Sequence, residues 1–372
     1  MAARRISGGV GVAVLAVLLA GCGSGGAEAK DEIAVDTSDT TCKVATTKLT
    51  AGVQTFRIKS SASKITEFEV LRPDGRIVSE RENIGPGTTV TFTVDLTAGS
   101  YQAACIPGMV GKGIRTPLTV AGGGKTQKRD PKLDKAVDAY RTYVNLQVDD
   151  SVATTKKFVA AVKAGDVAKA KKLYAPSRYG WESIEPVAES FGDIDPKVDL
   201  READLEDGQE WTGWHVIEKA LWKDGTTKGM SAVGDQLLAD LATLKKKVGN
   251  VEITPTSMGN GAKELLDEVA TGKVTGEEEA FSHTDLVDFE ANVVGAKKAY
   301  TLLRPVVADR DAKLAGTLDK EFASVLGSLE KYRRGEGFVS YDTVGDADRK
   351  VLSDKVNALA EPLSKLAATV AR

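Results

Sequence analysis

The sequence predicts a protein of two domains, in which an all-β sandwich precedes an all-α helical bundle. Short runs of alternating apolar and polar residues extend over residues 41–120, whereas residues 132–372 repeat apolar side chains every three or four positions. Between them, residues 121–131 are rich first in glycine and then in charge, which is typical of a linker. About 330 residues remain after the N-terminal leader and the tether that follows it, more than one hydrophobic core usually holds, and this also favours two domains.

The first 22 residues have the features of a bacterial lipoprotein export signal. Two arginines near the start precede residues 6–20, an apolar stretch as long as a signal peptide core and too short to span a bilayer. A sequence that resembles a lipobox ends at Cys22, so we expect lipidation there; an ordinary signal peptide that contains a cysteine is the alternative. Residues 23–40 are small, polar and acidic, which predicts a flexible tether.

The predicted sandwich, residues 41–120, contains the two cysteines that remain once the lipidated one is set aside. Residues 53–58 and 90–94 alternate apolar and polar side chains over most of their length, and turns with glycine or proline separate such runs. Cys42 lies just before the first run, and Cys105 ends a later one. In an oxidising compartment outside the cytoplasm, these two cysteines are expected to form a disulfide.

A metal site is the competing interpretation of this domain. Residues 99–105 resemble the cupredoxin arrangement around a metal-binding cysteine, but a blue-copper site needs two histidines and the domain has none. Conventional copper electron transfer is therefore not supported. Glu67 and Glu69 are two residues apart on a predicted strand, so both point to one face. They form either a carboxylate pair for a metal or a solvated surface.

Residues 132–372 are expected to form an antiparallel bundle of more than four helices. Apolar residues recur at helical spacing in residues 137–148, 237–244 and 351–363. Gly165 is expected to end one helix, and Gly295 marks either a helix end or a close contact between helices. Strand runs of comparable length are absent from this part of the sequence, which favours a bundle.

The most informative segment is residues 211–222, where a histidine and a glutamate lie among three tryptophans. His215 and Glu218 are three residues apart, so a helix places both on one face, about one turn apart. Trp211 and Trp222 extend that face in both directions, which predicts that it is buried. A buried carboxylate needs a partner, so the pair is either an internal hydrogen bond or part of a metal site.

Further ligands for such a metal would have to come from other helices. The candidates are acidic residues and the second histidine of the chain: Glu182, Glu185, Asp235, His283, Asp285 and Asp288. A solvated surface position is the alternative for the scattered acids, and a helix N-cap or surface role is the alternative for His283. The pattern is not the His-Glu-x-x-His of zinc peptidases, which supplies two histidines and a general base.

Long motifs in the chain resemble those of the exported component of iron-uptake systems of the EfeUOB type: residues 184–191, 211–222, 281–289 and 331–342. The resemblance covers nearly the whole chain after the export signal. It implies a cupredoxin-like domain followed by a helical domain of the imelysin (peptidase M75) family, in which His215 and Glu218 help bind a metal ion.

The same resemblance implies a second metal site in the first domain, made by two cysteines and two glutamates: Cys42, Cys105, Glu67 and Glu69. A thiolate ligand must be reduced, so this site and the disulfide compete for the same sulfurs. If the second site is redox-active, it could oxidise ferrous iron. Proteolysis is not expected, although imelysins are grouped with peptidases, because the sequence has no recognisable catalytic constellation.

The expected function is capture of iron outside the membrane and its delivery to a permease. Imidazole and carboxylates suit iron in the ferrous or ferric state, with copper or zinc as alternative metals. His215 would supply nitrogen and Glu218 oxygen, while Asp235 and Glu185 would complete the shell.

The expected partners are the permease, a peroxidase-type component of the same system and the membrane through the lipid anchor, in the periplasm or cell envelope. The net charge of −3, with both signs mixed along the chain, gives no indication of nucleic-acid binding. The alternatives are a metallopeptidase of the M75 type and a structural surface lipoprotein.

Overall fold

The first domain is a sandwich of two β-sheets. The computed structural model describes residues 32–122, 130–205 and 207–372, so the export signal, Cys22 and most of the predicted linker lie outside the described residues. The strands are β1 (Ile33–Thr37), β2 (Cys42–Val44), β3 (Lys48–Thr50), β4 (Gly52–Ser60), β5 (Thr66–Leu71), β6 (Ile77–Ile84), β7 (Thr89–Leu96), β8 (Gly99–Pro107) and β9 (Ile114–Ala121).

One sheet has the order β2-β1-β4-β7 and the other the order β3-β9-β8-β5-β6. Alternating side chains fill the space between them, where the rings of Phe56, Phe68 and Phe92 lie 5.2 to 6.3 Å apart. The predicted all-β class is confirmed. The predicted tether is wrong at its end, because Ile33 and Val35 are buried and form β1 with Thr37.

A disulfide between Cys42 and Cys105 joins the two sheets, with an S–S distance of 2.05 Å. Cys105 pairs with Phe68 across β8 and β5, so both side chains enter the core. Residues directly opposite each other on paired strands point to the same face of a sheet, and consecutive residues of one strand point to opposite faces. Because Phe68 points into the core, Glu67 and Glu69 lie on the outer face of this sheet. The structure therefore does not bring the cysteines and glutamates together as one metal site.

Replacing both cysteines by serine should lower the free energy of unfolding by about 4 kcal/mol, because the disulfide closes a loop of 63 residues. Denaturant unfolding of the double variant and the parent measures this difference. Iron binding should be unchanged in the variant. A loss of iron affinity would instead show that the sulfur atoms take part in binding.

The second domain is mainly helical. Its helices are α1 (Pro131–Lys163), α2 (Val167–Glu182), α3 (Asp195–Val198), α4 (Trp214–Trp222), α5 (Met230–Val248), α6 (Pro255–Thr271), α7 (Asp285–Arg310), α8 (Ala312–Leu329), α9 (Asp346–Leu363) and α10 (Leu366–Val370). A two-stranded hairpin, β10 (Arg333–Arg334) and β11 (Gly337–Phe338), lies between α8 and α9. The predicted all-α class of this domain is confirmed.

Local sequence signals explain where these helices begin and how closely they pack. Asp130 caps α1 by accepting a hydrogen bond from the backbone N–H of Lys132 at 2.9 Å, and Pro131 occupies the first turn. Gly295 permits a close contact, because a Cβ there would lie 2.3 Å from the carbonyl oxygen of Ser183. Among the described residues, the structure has no helix that is both long and apolar enough to cross a membrane.

Helix α6 packs against strands β6 and β7, so both domains belong to one compact unit over residues 32–372. Asn260 donates hydrogen bonds to Ser79 Oγ and to the carbonyl oxygen of Thr93, both at 2.9 Å. Glu264 accepts from Arg81 Nη1 at 3.2 Å. This polar interface places the outer face of β6 next to the acidic residues of the helical domain.

Candidate metal centre

Helix α4 carries the predicted pair into the interior of the helical domain. The side chain of His215 is 2% exposed, and Glu218 is fully buried. His215 Nδ1 lies 2.9 Å from Glu218 Oε2, as the i, i+3 spacing predicts. The other oxygen, Glu218 Oε1, accepts hydrogen bonds from the backbone N–H groups of Phe281 and Ser282 at 3.0 and 2.7 Å. The glutamate is therefore held as a carboxylate and fixes the orientation of the imidazole.

A glycine before α4 brings a second carboxylate to the opposite side of the imidazole. Gly213 has φ 92° and ψ −163°, a conformation open essentially only to glycine. A Cβ at this position would lie 2.2 Å from the carbonyl oxygen of Val198. This close approach places Asp199 Oδ1 3.3 Å from His215 Nε2. Asp199 Oδ2 accepts a hydrogen bond from Trp181 Nε1 at 2.7 Å.

Replacing Gly213 by alanine should destabilise the protein by about 1–3 kcal/mol from backbone strain, with an added clash against Val198. It should also weaken metal binding, because α4 must move away from Asp199. Denaturant unfolding and an iron titration measure the two effects. Gly316→Ala is the matched control, since Gly316 lies within α8 with open space around its Cα. Equal stability of the two variants would contradict this role of Gly213.

The segment before α7 supplies two more carboxylates, from Glu278 and Glu279. Asp199, His215 and Glu278 offer ligand atoms that all lie within 4.8 Å of one another, and so do His215, Glu218 and Glu279. All five side chains are buried. One nitrogen and several carboxylate oxygens form a donor set that suits iron, manganese or zinc.

A buried arginine stands at the centre of these acids. Arg178, on α2, is fully buried and forms ion pairs with a ring of carboxylates: Glu182, Asp199, Glu278, Glu279 and Asp288. Its Nε lies 2.6 Å from Glu279 Oε1. Isolated buried carboxylates are costly, so Arg178 provides the charge compensation that lets them stay together in the interior.

The protonation states in the centre follow from these contacts. Burial and the charge of Arg178 oppose a charged imidazole, but hydrogen bonds to Asp199 and Glu218 outweigh them and raise the pKa of His215 to about 9. Burial opposes ionisation of Asp199, yet Arg178 and His215 hold its pKa well below its usual range. Burial and the charge of Glu218 raise the pKa of Glu279 well above its usual range. The pocket thus combines ionised and protonated carboxyl groups around an imidazolium.

Several buried polar atoms in this region lack a well-aligned hydrogen-bond partner, among them Asp285 Oδ2 and both carboxylate oxygens of Asp288. His215 Nε2 belongs to this set too, and its contacts there are with Asp199 Oδ1 at 3.3 Å and Glu278 Oε1 at 4.0 Å. Burial raises the pKa of Asp285 to about 6. Buried polar groups normally find partners. An imidazole nitrogen that faces two carboxylates fits the role of a metal ligand.

The other predicted ligands have different positions. Glu185 lies at the edge of the centre, where it shares Lys273 with Glu182 and forms a third group of potential ligands with Glu182 and Asp199. Asp285 and Asp288 are buried at the start of α7, beside Glu279 and Arg178 respectively.

Two of the predicted ligands lie apart from the groups of potential ligand atoms among the described residues. Asp235 is an exposed residue of α5 that pairs with Lys163. The backbone N–H of His283 donates to the carbonyl oxygen of Glu279 at 2.9 Å, and its φ is 56°. The structure therefore does not bring Asp235 or His283 to the imidazole of His215.

A separate acidic group lies on the outer face of the β-sandwich. Ligand atoms of Glu67, Glu80 and Glu82 are within 4.8 Å of one another. Burial raises the pKa of Glu67 to about 7, despite a hydrogen bond with Glu80. Glu69 pairs with Glu80 across β5 and β6, so it lies on the same face. The predicted glutamate pair thus meets other carboxylates of its own sheet rather than the cysteines.

The fold and the buried centre define a class of protein with a cupredoxin-like domain followed by an imelysin domain. Residues 136–366 match the family model of the imelysin peptidase M75 group, and residues 11–120 match the cupredoxin-like domain model. Curated relatives named iron uptake system component EfeO occur in Escherichia coli O157:H7 and Escherichia coli strain K12. They are 40% and 39% identical to this chain over 340 residues, which is 90% of this chain and 90% of each relative. The chain therefore belongs to the EfeO family.

Proposed function

We propose that this protein captures iron outside the cytoplasmic membrane at the His215 centre and passes it to a membrane permease of the same uptake system. The buried group of Asp199, His215 and Glu278 carries this proposal, together with the names of the relatives. Export and lipid anchoring through Cys22 would hold the protein in the periplasm or cell envelope, as the N-terminal sequence predicts. A peroxidase-type component is the second expected partner.

The geometry favours a ligand role for the Nε2 atom of His215. Nδ1 of His215 already contacts Glu218 Oε2. Histidines that bind a metal through one ring nitrogen commonly donate a hydrogen bond from the other nitrogen to a carboxylate. Asp199 and Glu278 then supply oxygen atoms on the Nε2 side. In this arrangement Glu218 orients the imidazole, whereas the sequence alone predicts that Glu218 is an oxygen ligand. Glu279 offers the alternative position, with His215 and Glu218, on the Nδ1 side.

Iron binding should weaken as the pH falls. The pKa of His215 is about 9 without metal, so the imidazole carries a proton at neutral pH that the ion must displace. Over the range between about pH 6 and 8, the affinity should fall by up to about tenfold for each pH unit. Calorimetry in buffers of different ionisation enthalpy should detect release of at least one proton per ion. An affinity independent of pH would contradict this protonation state.

Anaerobic titration with ferrous iron, followed by titration with ferric iron, tests the proposed capture step. Protein from residue 23 onward, produced without the lipid, should show saturable calorimetric binding. Absence of binding in both oxidation states would reject iron capture. Peptide cleavage that Glu218→Gln abolishes would instead support the peptidase alternative. Zinc and copper titrations under the same conditions compare the alternative metals.

A further inference from the structure

A cavity of about 320 Å³ between the two domains leads from the acidic sheet face to the metal centre. Glu82 and Met109 line it from the β-sandwich, and Asp199 and Glu278 line it from the helical domain. Asp199 and Glu278 are the carboxylates that flank His215 Nε2. The cavity therefore has one end at each of the two acidic groups.

Carboxylates from both domains line this cavity. At the sheet end, Glu82 belongs to the group with Glu67 and Glu80. Glu185 and Glu268 line this cavity, and both also line the neighbouring one, to which Glu80 contributes. Glu185 also belongs to the group that contains Asp199, which in turn belongs to the group of His215. Neighbouring groups of potential ligands in the helical domain thus share a member.

The lining of the cavity already includes a cation of the protein itself. Lys273 Nζ lies 2.8 Å from Glu185 Oε1, 3.0 Å from Glu182 Oε2 and 3.8 Å from Glu278 Oε1. The Lys273 side chain is 8% exposed, so its carboxylate contacts stabilise a positive charge in the protein interior. An incoming ion of higher charge could take over the same oxygen atoms.

The inner end of the cavity reaches the His215 centre through Asp199 and Glu278, whereas the imidazole itself does not line this cavity. His215 Nε2 lies 3.3 Å from Asp199 Oδ1, behind the cavity wall. Glu268 lines the cavity with an exposed side chain, and desolvation raises its pKa to about 7. It is therefore ionised above neutral pH.

We propose that the cavity between the domains is a cation passage that connects the carboxylates of Glu67, Glu80 and Glu82 with the His215 centre, with Lys273 paired to its lining carboxylates until a metal ion displaces the ammonium group. This inference rests on the proposed function, since it specifies the route to the same site. It assigns the β-sandwich a role as an acidic entry surface for divalent cations.

A second cavity offers a competing route. It has a volume of about 220 Å³ and reaches His215 directly, past Glu277 and Phe281. Glu268 lines the passage and the cavity next to it but not this second cavity, which Glu277 lines instead. Both glutamates are exposed and neither belongs to a group of potential ligands. They form a matched pair of positions at which to place a positive charge.

Anaerobic stopped-flow mixing with ferrous iron at about pH 8, where Glu268 is ionised, separates the two routes. Quenching of tryptophan fluorescence monitors binding near His215, because all four tryptophans belong to the helical domain: residues 181, 211, 214 and 222. Glu268→Lys should slow the quenching about tenfold or more, whereas Glu277→Lys should leave the rate unchanged. Equilibrium affinity should be retained in both variants, and thermal unfolding verifies that both fold.

Slowing in Glu277→Lys alone, or equal slowing in both variants, would overturn the passage in favour of direct entry or general electrostatic attraction. An unchanged rate in both variants would overturn it as well. Absence of saturable quenching and of calorimetric binding in the parent protein would reject the proposed function itself. The two failures are therefore distinguishable.

Discussion

Replacing His215 by glutamine is expected to weaken ferrous iron binding at least about a hundredfold, or about 2.7 kcal/mol. The substitution removes the imidazole nitrogen that faces Asp199 and Glu278. It keeps a polar side chain beside Glu218, so the fold should survive. Anaerobic calorimetry measures the affinity, and circular dichroism checks the helical content. Glu218→Gln should lower the iron affinity less, by about ten- to a hundredfold, because in this account Glu218 orients the imidazole ring and does not bind the ion.

The control for these variants is Asp235→Asn. Asp235 also lies in the helical domain, but it is exposed and paired with Lys163 on the surface. Its substitution should leave the iron affinity unchanged, although the sequence alone predicts that it is a ligand. A loss of affinity in Asp235→Asn equal to that in His215→Gln would place the site elsewhere.

Replacing Arg178 by methionine should lower the free energy of unfolding of the metal-free protein by about 3–5 kcal/mol. The substitution removes the positive charge that five buried carboxylates share, at similar side-chain volume. Iron should restore part of this loss, because the ion supplies positive charge to the same carboxylates. Denaturant unfolding with and without iron measures both effects, and the stabilisation by iron should be larger in the variant than in the parent.

Arg304→Met provides the comparison for a pair at the surface. Arg304 binds Asp319 through more than one hydrogen bond, yet both side chains are exposed. Its substitution should change the free energy of unfolding by no more than about 1 kcal/mol. If Arg178→Met were as mild as Arg304→Met, the buried carboxylates would not depend on the arginine.

Local patterns predict most of the fold and the first pair of site residues. Strand alternation and helical periodicity identify the two domains, because each depends only on residues close in sequence. The same holds for His215 and Glu218, which meet one turn apart on α4. The tether prediction fails at β1 because a strand of five residues, Ile33–Thr37, is too short to show much periodicity.

The rest of the centre depends on contacts between distant segments. Asp199 is aligned with His215 by the backbone contact of Gly213 with Val198, which no spacing rule contains. The acidic run before Phe281 was a visible signal for Glu278 and Glu279, since three consecutive glutamates precede a segment with a histidine. For Arg178 the one local clue is its i, i+4 relation to Glu182.

Anomalous diffraction at the iron edge, from crystals grown anaerobically with ferrous iron, tests the central claim most directly. We expect a peak at His215 Nε2, between the carboxylates of Asp199 and Glu278, with Glu218 still bonded to Nδ1. A peak on the Nδ1 side, shared by Glu218 and Glu279, would contradict the orienting role of Glu218. A peak confined to the glutamates of the β-sandwich, or to Asp235, would contradict capture at the His215 centre.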